Sequence, residues 1–487
     1  MSGYPYARLT LATLFAVSIA GFANPGLAAP AVTLNTPNGH PTAKVKVSGT
    51  GFGASKAVDI YFDTTDEVLV ASNGSGAFSN VQFKTPADAA PGDHWITAVE
   101  RDNGTAAQAP FTVTTAWAEH GYDAKGKRYN PYENVISTGN VKKLDTLWTA
   151  KTGDAIDSSS PAVANGFVYV GSLDHNLYAF DALTGALIWK AATGDEIESS
   201  PAVSNGIVYV GSNDGRIYAF NATTGALVWK RGPTRGPIFS SPTVAGGVVY
   251  IGSAAHGAFG FDAATGATAW QAGGSDGVES SPAVADGAIF LTTPDGLAVG
   301  LGLDGSFGWT SSGGGISSPA TDNGIAYFAD SSGDVSARQE SGGLAWSQSA
   351  SGSAFVSSPA VASGILYIGS EDGKLYTFDA GTGAPGWIAS TGALIDSSPA
   401  VANGVVYVGS NDGKLYAFDA ASGTRLWSAG VGFAVKSSPV VADGVVYVGS
   451  YRDKLLAYSI NGDAPARRRA PPSFASLHPD HRLKAVQ

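Results

Sequence analysis

The sequence predicts an all-β protein in which an eight-bladed β-propeller of four-stranded blades follows a small β-sandwich. The tripeptide Ser-Ser-Pro occurs eight times at nearly constant spacing, and a tryptophan recurs eight times in step with it. The composition agrees, because 64 glycines with 10% aromatic and only 14% charged residues are typical of strands and tight turns. The prolines are Pro161, Pro201, Pro242, Pro282, Pro319, Pro359, Pro399 and Pro439. The tryptophans are Trp148, Trp189, Trp229, Trp270, Trp309, Trp346, Trp387 and Trp427.

Each repeat contains four short apolar segments separated by turn residues, most clearly in the second repeat. There the predicted strands are residues 199–204, 207–212, 216–221 and 226–230. The dipeptide Asn205-Gly206 is a strong hairpin signal, because both central positions of that turn need positive φ. A four-stranded repeat of roughly 40 residues has the size of a propeller blade, and eight blades lie within the usual range.

The register of the repeats predicts how the ring of blades closes. The last repeat, residues 439–460, contains three strands and no tryptophan, whereas Trp148 precedes the first Ser-Ser-Pro. We therefore expect Leu147-Trp148-Thr149 to supply the fourth strand of the eighth blade, which removes an exposed sheet edge. The alternative, an open solenoid of eight stacked units, would leave that edge unpaired.

One segment of the repeat carries a family resemblance. The pattern Ala179-x-Asp181-x-x-Thr184-Gly185-x-x-x-Trp189 resembles the tryptophan-docking motif of pyrroloquinoline-quinone (PQQ) propellers. Residues 219–229, 377–387 and 417–427 follow it closely, 260–270 departs at the first position, and 300–309 and 337–346 are degenerate. The chain is thus similar to quinoprotein alcohol dehydrogenases and to the eight-bladed scaffold of the bacterial outer-membrane assembly complex. That scaffold is usually a lipoprotein, whereas this chain has no cysteine to lipidate. The resemblance implies that the eight tryptophans are structural, each packed over a neighbouring blade.

The first 28 residues are predicted to be a signal peptide. An apolar run at residues 9–22 follows Arg8, and Gly26-Leu27-Ala28 matches a small-x-small cleavage site, so we expect cleavage after Ala28. The alternative is an uncleaved membrane anchor. No later stretch reaches about 18 uninterrupted apolar residues, so no further membrane span is predicted. We expect export to a bacterial periplasm or to the exterior.

The remaining segments flank the propeller, which is predicted at residues 146–460. Residues 30–115 contain short alternating strands and are similar to the small immunoglobulin-like sandwich found before exported bacterial enzymes and surface proteins. Residues 116–145 are predicted to be a connector, with irregular structure at Arg128-Tyr129-Asn130-Pro131. Residues 461–487 form a tail with Arg467-Arg468-Arg469 and Pro471-Pro472, which we expect to be disordered.

Charge and composition exclude several classes of function. A net charge of −11 argues against nucleic-acid binding. The absence of cysteine excludes disulfides, cysteine-ligated zinc, iron–sulfur clusters, covalently attached haem and thiol nucleophiles. None of the seven histidines belongs to an HxH or HExxH motif, so no metal site is predicted. We expect a monomer.

The candidate site lies in the loop before each Ser-Ser-Pro, which opens beside the propeller axis. The residues at this phase differ between blades: Ser158, Glu198, Phe239, Glu279, Ile316, Val356, Asp396 and Lys436, with Asp157 next to the first. Repulsion among the acids favours a cation or Lys436 as their partner. The candidate ligand- or cofactor-binding residues are Asp157, Glu198, Glu279, Asp396 and Lys436. The alternative is a solvated acidic rim with no ligand. No catalytic residue is predicted.

The predicted function is that of an exported, non-catalytic binding or scaffold protein, with a protein or polysaccharide partner at the propeller face. The even repeat spacing leaves no room for the long insertions that hold PQQ and calcium in the dehydrogenases that the chain resembles. A large planar polyanion such as PQQ needs several convergent cations and donors, whereas the candidate ring offers one lysine among acids. No cofactor is therefore predicted. The resemblance alone implies the alternative, a PQQ-dependent dehydrogenase of alcohols or sugars that holds PQQ with calcium. A structural surface-layer component is a third reading.

Overall fold

The computed structural model describes residues 29–465, except 233, 274–276 and 351, together with residues 471, 472 and 477. The chain divides into two compact units, Met1–Thr114 with Ala466–Gln487 and Thr115–Pro465. The predicted signal peptide and the three consecutive arginines of the tail lie outside the described residues. Within them, the helical element is one 3-10 turn at Val141–Lys143, and no helix is long and apolar enough to cross a membrane.

The second unit is an eight-bladed β-propeller, which confirms the predicted fold class. Each blade contains four antiparallel strands, which follow one another from the inner to the outer edge, and Tyr129–Asn130 adds a fifth, parallel strand to one blade. In that order, blade one comprises Ala162–Ala164, Phe167–Gly171, Asn176–Asp181 and Leu187–Ala192. Blade two comprises Ala202–Ser204, Ile207–Ser212, Arg216–Asn221 and Leu227–Arg231. Blade three comprises Thr243–Ala245, Val248–Ser253, Gly257–Asp262 and Thr268–Ala272, and blade four Ala283–Ala285, Ala288–Thr292, Leu297–Gly302 and Phe307–Ser312.

The other four blades repeat this order. Blade five comprises Ala320–Asp322, Ile325–Ala329, Asp334–Gln339 and Leu344–Ser349, and blade six Ala360–Ala362, Ile365–Gly369, Lys374–Asp379 and Pro385–Ser390. Blade seven comprises Ala400–Ala402, Val405–Ser410, Lys414–Asp419 and Arg425–Gly430. Blade eight comprises Val440–Ala442, Val445–Ser450, Lys454–Ile460 and Leu144–Lys151.

Blade eight closes the ring as the repeat register predicts. Its outer strand, Leu144–Lys151, comes from the beginning of the propeller sequence and pairs antiparallel with Lys454–Ile460 from its end, with Trp148 opposite Ala457. Because this strand covers what would otherwise be an open edge, the closed ring replaces the alternative of an open solenoid.

The prediction of irregular structure at Arg128-Tyr129-Asn130-Pro131 is wrong. Tyr129–Asn130 forms a short strand that pairs in parallel with Val401–Ala402 at the inner edge of blade seven. The pairing is too short and too distant in sequence to leave a periodic pattern, because two residues cannot display the alternation by which a strand is recognised.

The inner strands begin later than the sequence predicts. In blade two, the inner strand starts at Ala202 rather than at Ser199. The Ser-Ser-Pro residues do not form the backbone hydrogen bonds of the sheet and bond to other groups instead. The hydroxyl oxygen of Ser199 accepts the backbone N–H of Gly211 at 3.1 Å, and the N–H of Ser200 donates to a serine of the next blade. The tripeptide therefore joins strands and blades instead of extending the sheet.

The first unit contains two sheets around one apolar core. One sheet comprises Ala31–Leu34, Lys44–Thr50 and Phe78–Lys84, and the other Asn38–Gly39, Ala106–Val113, Gly92–Glu100, Ala57–Phe62 and Thr65–Ala71. Val47 from one sheet and Ile60 and Ile96 from the other are fully buried in the shared core. Membership of the immunoglobulin-like class stays a prediction. The described tail residues in this unit make contacts, since Leu477 is buried beside Tyr61 and Val99.

Candidate functional site

A closed circle of serines surrounds the propeller axis. The backbone N–H of Ser160 donates to the hydroxyl oxygen of Ser200 at 2.9 Å, and the same bond joins each blade to the next. The bond from Ser438 N–H to Ser160 Oγ, at 3.1 Å, completes the circle. The eight serines are Ser160, Ser200, Ser241, Ser281, Ser318, Ser358, Ser398 and Ser438. The second serine of every Ser-Ser-Pro therefore fixes the blades around the axis.

Residues 115–130, which overlap the predicted connector at residues 116–145 and are called the connector from here on, contact the inner strand of every blade. The contacted residues share one place in the repeat, two positions after Ser-Ser-Pro: Val163, Val203, Val244, Val284, Thr321, Val361, Val401 and Val441. Their connector partners, in the same order, are Trp117, Ala118, Glu119, Ala124, Lys125, Lys127, Arg128 and Asn130. Most of these contacts are backbone hydrogen bonds, whereas Glu119 and Asn130 use their side chains. The connector is thus an integral part of the propeller centre.

The connector places a buried guanidinium near the axis. Arg128 is fully buried, and its side chain donates to the carbonyl oxygens of His120, Pro399 and Pro439 at 2.6, 2.8 and 3.3 Å. The guanidinium also lies 5.8 Å from the centre of the Trp117 ring. Each of its three nitrogens donates to a backbone carbonyl, so Arg128 is committed to holding the connector.

A funnel of about 360 Å³ lies at the centre of the ring of blades. All eight residues of the sequence-predicted ring line it, from Ser158 of blade one to Lys436 of blade eight. Seven of the axial serines and His120 of the connector complete its lining. Asp157 does not line it but lies beside it, 3.3 Å from Lys436 Nζ. The structure therefore brings the five candidate residues together around or beside one cavity.

The charges around the funnel are only partly paired. Lys436 Nζ pairs with Asp157 and lies 4.7 Å from the centre of the Tyr451 ring. Burial lowers the pKa of Lys436, but the charge and hydrogen bond of Asp157 outweigh it, so the pKa is raised and the ammonium stays charged. Among the described residues, no cation lies within 4.0 Å of the carboxylates of Glu198, Glu279 or Asp396.

Two of these carboxylates are held by asparagines fifteen residues later in the chain. Asn213 Nδ2 donates to Glu198 Oε1 at 2.9 Å, and Asn411 Nδ2 donates to Asp396 Oδ2 at 2.9 Å. The carbonyl oxygens of both amides are buried and have no donor among the described residues. Burial raises the pKa of Glu198, against the hydrogen bond from Asn213, and the charge of Asp157 raises it further. Amide donors thus hold two of the three acids of the funnel in place.

The connector adds two groups with shifted pKa values. Burial holds the pKa of His120 well below its usual value, and the charge of Arg128 lowers it further, so the ring is neutral at pH 7. Burial raises the pKa of Glu119 to about 8, against the hydrogen bond from Val244 N–H. Neither group contributes a full charge to the funnel at neutral pH.

The residues around the funnel do not fit PQQ with calcium. The lysine of the lining, Lys436, is paired with Asp157, and the buried Arg128 is committed to three carbonyls. The carboxylates of PQQ would lie against three unneutralised carboxylates, which is costly in a partly desolvated site. Within the described part of the chain, no group of three or more His, Asp or Glu residues is placed to hold a metal ion.

Sequence reasoning located the ring of variable residues and the connector, but it did not predict that the connector contacts every blade. The ring could be predicted because residues at the same position of successive repeats lie at the same radius of the propeller. The connector makes one contact per blade, so its side chains follow no period of 2 or 3.6. The repeat offered one further signal, because the paired residues at Glu198 and Asn213 recur at Asp396 and Asn411 with the same spacing.

Comparisons with known proteins agree with this geometry. A repeat family described as outer membrane protein assembly factor BamB matches residues 137–240, 213–354 and 331–466. The quinate/shikimate dehydrogenase (quinone) of Acinetobacter baylyi is 31% identical over 90 residues, 17% of this chain and 11% of that protein. The BamB of Alkalilimnicola ehrlichii is 35% identical over 68 residues, 13% of this chain and 18% of that protein. The chain thus spans less than a fifth of these relatives.

Solved structures share the fold. The quinohemoprotein alcohol dehydrogenase of Comamonas testosteroni superposes with a TM-score of 0.63 at 18% identity, covering 74% of this chain and 82% of that one. The BamB of Moraxella catarrhalis superposes with a TM-score of 0.56 at 18% identity, covering 65% of this chain and 97% of that one. At these identities the superpositions establish the propeller alone, whereas the matched repeats cover well over half of the chain. The chain therefore belongs to the propeller repeat family described as outer membrane protein assembly factor BamB.

Proposed function

We propose that this protein is an exported, non-catalytic binding module that engages a protein partner at the mouth of its axial funnel. The observation that carries the proposal is the set of three carboxylates, Glu198, Glu279 and Asp396, which line one cavity and have no cation of the described residues within 4.0 Å. Unneutralised charge around a cavity is a recognition feature, because it favours a partner of opposite charge and speeds its approach.

The regularity of the blades supports a binding role rather than catalysis. The Ser-Ser-Pro prolines, from Pro161 to Pro439, recur so evenly that the loops around the funnel stay short. The serine hydroxyls of the funnel accept backbone N–H groups of neighbouring blades. Ser200 Oγ also lies 3.3 Å from His120 Nδ1, but burial and the charge of Arg128 hold the pKa of His120 well below its usual value, so the imidazole is a weak base for activating a hydroxyl. These features suit a rigid scaffold whose surface differs from blade to blade.

The family favours a protein over a polysaccharide partner. The matched family is described as an outer membrane assembly factor, and that description fits a propeller that contacts other proteins. The same relationship, with the signal sequence predicted at residues 1–28, supports an exported location. Polysaccharide binding, which the sequence left open, has no comparable support.

A PQQ-dependent dehydrogenase of alcohols or sugars is the second candidate. Its support is the stretch shared with the quinate/shikimate dehydrogenase and the quinoprotein glucose dehydrogenase of Gluconobacter oxydans. The charges around the funnel count against it, because Lys436 is paired and three acids are not.

A dye-linked dehydrogenase assay separates the two candidates. The mature protein, preincubated with PQQ and calcium, is assayed with ethanol, glucose and quinate, and a quinoprotein dehydrogenase prepared in parallel serves as the positive control. We expect no turnover above the protein-free background. Turnover that depends on both PQQ and the protein would overturn the binding proposal in favour of the enzyme.

A further inference from the structure

We propose that the axial funnel receives a primary alkylammonium group, and that its source is a lysine side chain of the partner protein. The inference deepens the proposed binding function and rests on it. It assigns a chemical class to the occupant: an apolar methylene chain that ends in a charged ammonium. A free alkyl diamine presents the same group, so the test separates the two sources.

The charge of the funnel selects a cation. Lys436 and Asp157 neutralise each other, which leaves Glu198, Glu279 and Asp396 as the unpaired charges around the cavity. The buried guanidinium of Arg128 donates to the carbonyl oxygens of His120, Pro399 and Pro439 rather than to these acids. An ammonium at the level of the acids would therefore gain attraction without displacing an existing ion pair.

Two asparagines hold the acids in place. Asn213 and Asn411 donate from their NH₂ groups to Glu198 and Asp396, which fixes the orientation of both carboxylates. Neither asparagine lines the funnel, and their carbonyl oxygens are buried. Carboxylates that are already oriented lose less freedom when they bind an ammonium.

The repeat already contains one ammonium bound in this manner. At the position of blade eight that corresponds to Glu198, Lys436 pairs with Asp157 of the neighbouring blade. Its Nζ lies 4.7 Å from the ring of Tyr451, which stands where Asn213 stands in blade two. The rim thus holds a lysine ammonium with a carboxylate and an aromatic face, and an incoming lysine would find acids at equivalent positions of other blades.

Apolar side chains of the funnel suit the methylene chain. Phe239, Ile316 and Val356 occupy the same repeat phase in blades three, five and six and line the same cavity, with Glu279 of blade four between the first two. They would contact the stem of a lysine, whose four methylenes gain from burial while the ammonium remains with the acids. A metal ion would make no use of these apolar side chains, and a hydrophobic ligand would leave the acids unpaired.

Calorimetric titration of the mature protein with small probes tests the proposal. The probes are pentylamine, cadaverine and Nα-acetyl-lysine methylamide, with pentanol as the neutral match for pentylamine. We expect the three amines to bind at micromolar to millimolar concentration, more weakly as salt increases, and pentanol not to bind. Equal binding of pentanol, or no binding of any amine at millimolar concentration, would overturn the ammonium assignment.

Substitutions around the funnel then test whether the amines bind there. Glu198→Gln and Asp396→Asn should each weaken pentylamine binding by roughly fivefold to tenfold, because each removes a charge but keeps the side-chain shape. Asp145→Asn, which alters an exposed acid on the outer strand of blade eight, is the matched control and should leave affinity unchanged. Lys436→Met should strengthen binding by about threefold or more, because it frees Asp157 and removes a repelling charge. A gain of affinity cannot result from misfolding, so unchanged or weaker binding by Lys436→Met counts against the proposal.

The probes also identify the source of the ammonium. Binding of the lysine derivative at least as tight as that of cadaverine supports a protein side chain, whereas binding of cadaverine alone would overturn the protein source. The dye-linked assay tests the binding function independently of this inference. If no amine binds and no PQQ-dependent turnover occurs, this inference is refuted and the binding function stands. PQQ-dependent turnover would refute the binding function itself.

Discussion

The indole Nε1 of Trp148 donates to the carbonyl oxygen of Ala182 at 3.0 Å, and its ring covers Gly185. Trp148 belongs to blade eight and Gly185 to the last turn of blade one, so this contact joins the two ends of the ring. The same contact recurs between Trp189 and Gly225. These turn glycines need positive φ and also leave the space that the indole fills.

Removing one docking tryptophan should destabilise the propeller strongly. Trp229 is buried and donates to Ala263 of the next blade at 3.0 Å. We expect Trp229→Ala to lower the free energy of unfolding by about 3–5 kcal/mol, as for other large buried aromatic residues. Chemical denaturation followed by circular dichroism measures it. A loss below about 1 kcal/mol would mean that the ring is not packed between blades.

Three truncations should separate ring closure from the connector. Deleting 29–114 should leave a folded propeller, because Thr115 is the first residue that its unit uses. Deleting 29–131 removes the connector but keeps the closing strand, and should lower the melting temperature. Deleting 29–151 also removes Leu144–Lys151, exposes the edge of blade eight, and should cause aggregation. Identical melting of all three proteins would contradict both roles.

Removing one hydroxyl from the axial serine circle should destabilise the propeller. Ser398→Ala leaves the backbone N–H of Ser358 buried without its acceptor. We expect a loss of about 1–3 kcal/mol in the free energy of unfolding, the usual penalty for an unsatisfied buried donor. The exposed Ser341→Ala is the control and should change the value little. Equal effects of the two substitutions would show that the circle adds nothing to stability.

Glu119 should make the propeller less stable as pH rises. Burial raises its folded pKa from 4.5 to about 8, so the folded state binds its proton more tightly than the unfolded state does. Its stabilising contribution is therefore complete below about pH 4.5 and is lost as pH rises through about 8. Glu119→Gln keeps an acceptor for Val244 N–H and should flatten the decline by a few kcal/mol. Parallel stability curves for the two proteins between these pH values would contradict the assignment.

The sequence predicted those features that repeat. Eight copies of Ser-Ser-Pro and of the docking tryptophan define the number of blades, and the displaced Trp148 defines the closure. The same periodicity predicted that Glu198 and Lys436 lie in one ring, and both residues line the funnel. Features that occur once had no such signal, because the path of the connector depends on tertiary contacts of Arg128 and Tyr129 with distant blades.

Native mass spectrometry of the mature protein and of Lys436→Met with PQQ and calcium tests the central claim most directly. The claim is that the acids around the funnel favour a cationic ligand and disfavour an anionic one. We predict no stoichiometric uptake of PQQ by either protein, because Glu198, Glu279 and Asp396 remain unneutralised in both. Stoichiometric uptake by the unaltered protein, abolished by Lys436→Met, would contradict the account and establish the funnel as a quinone site.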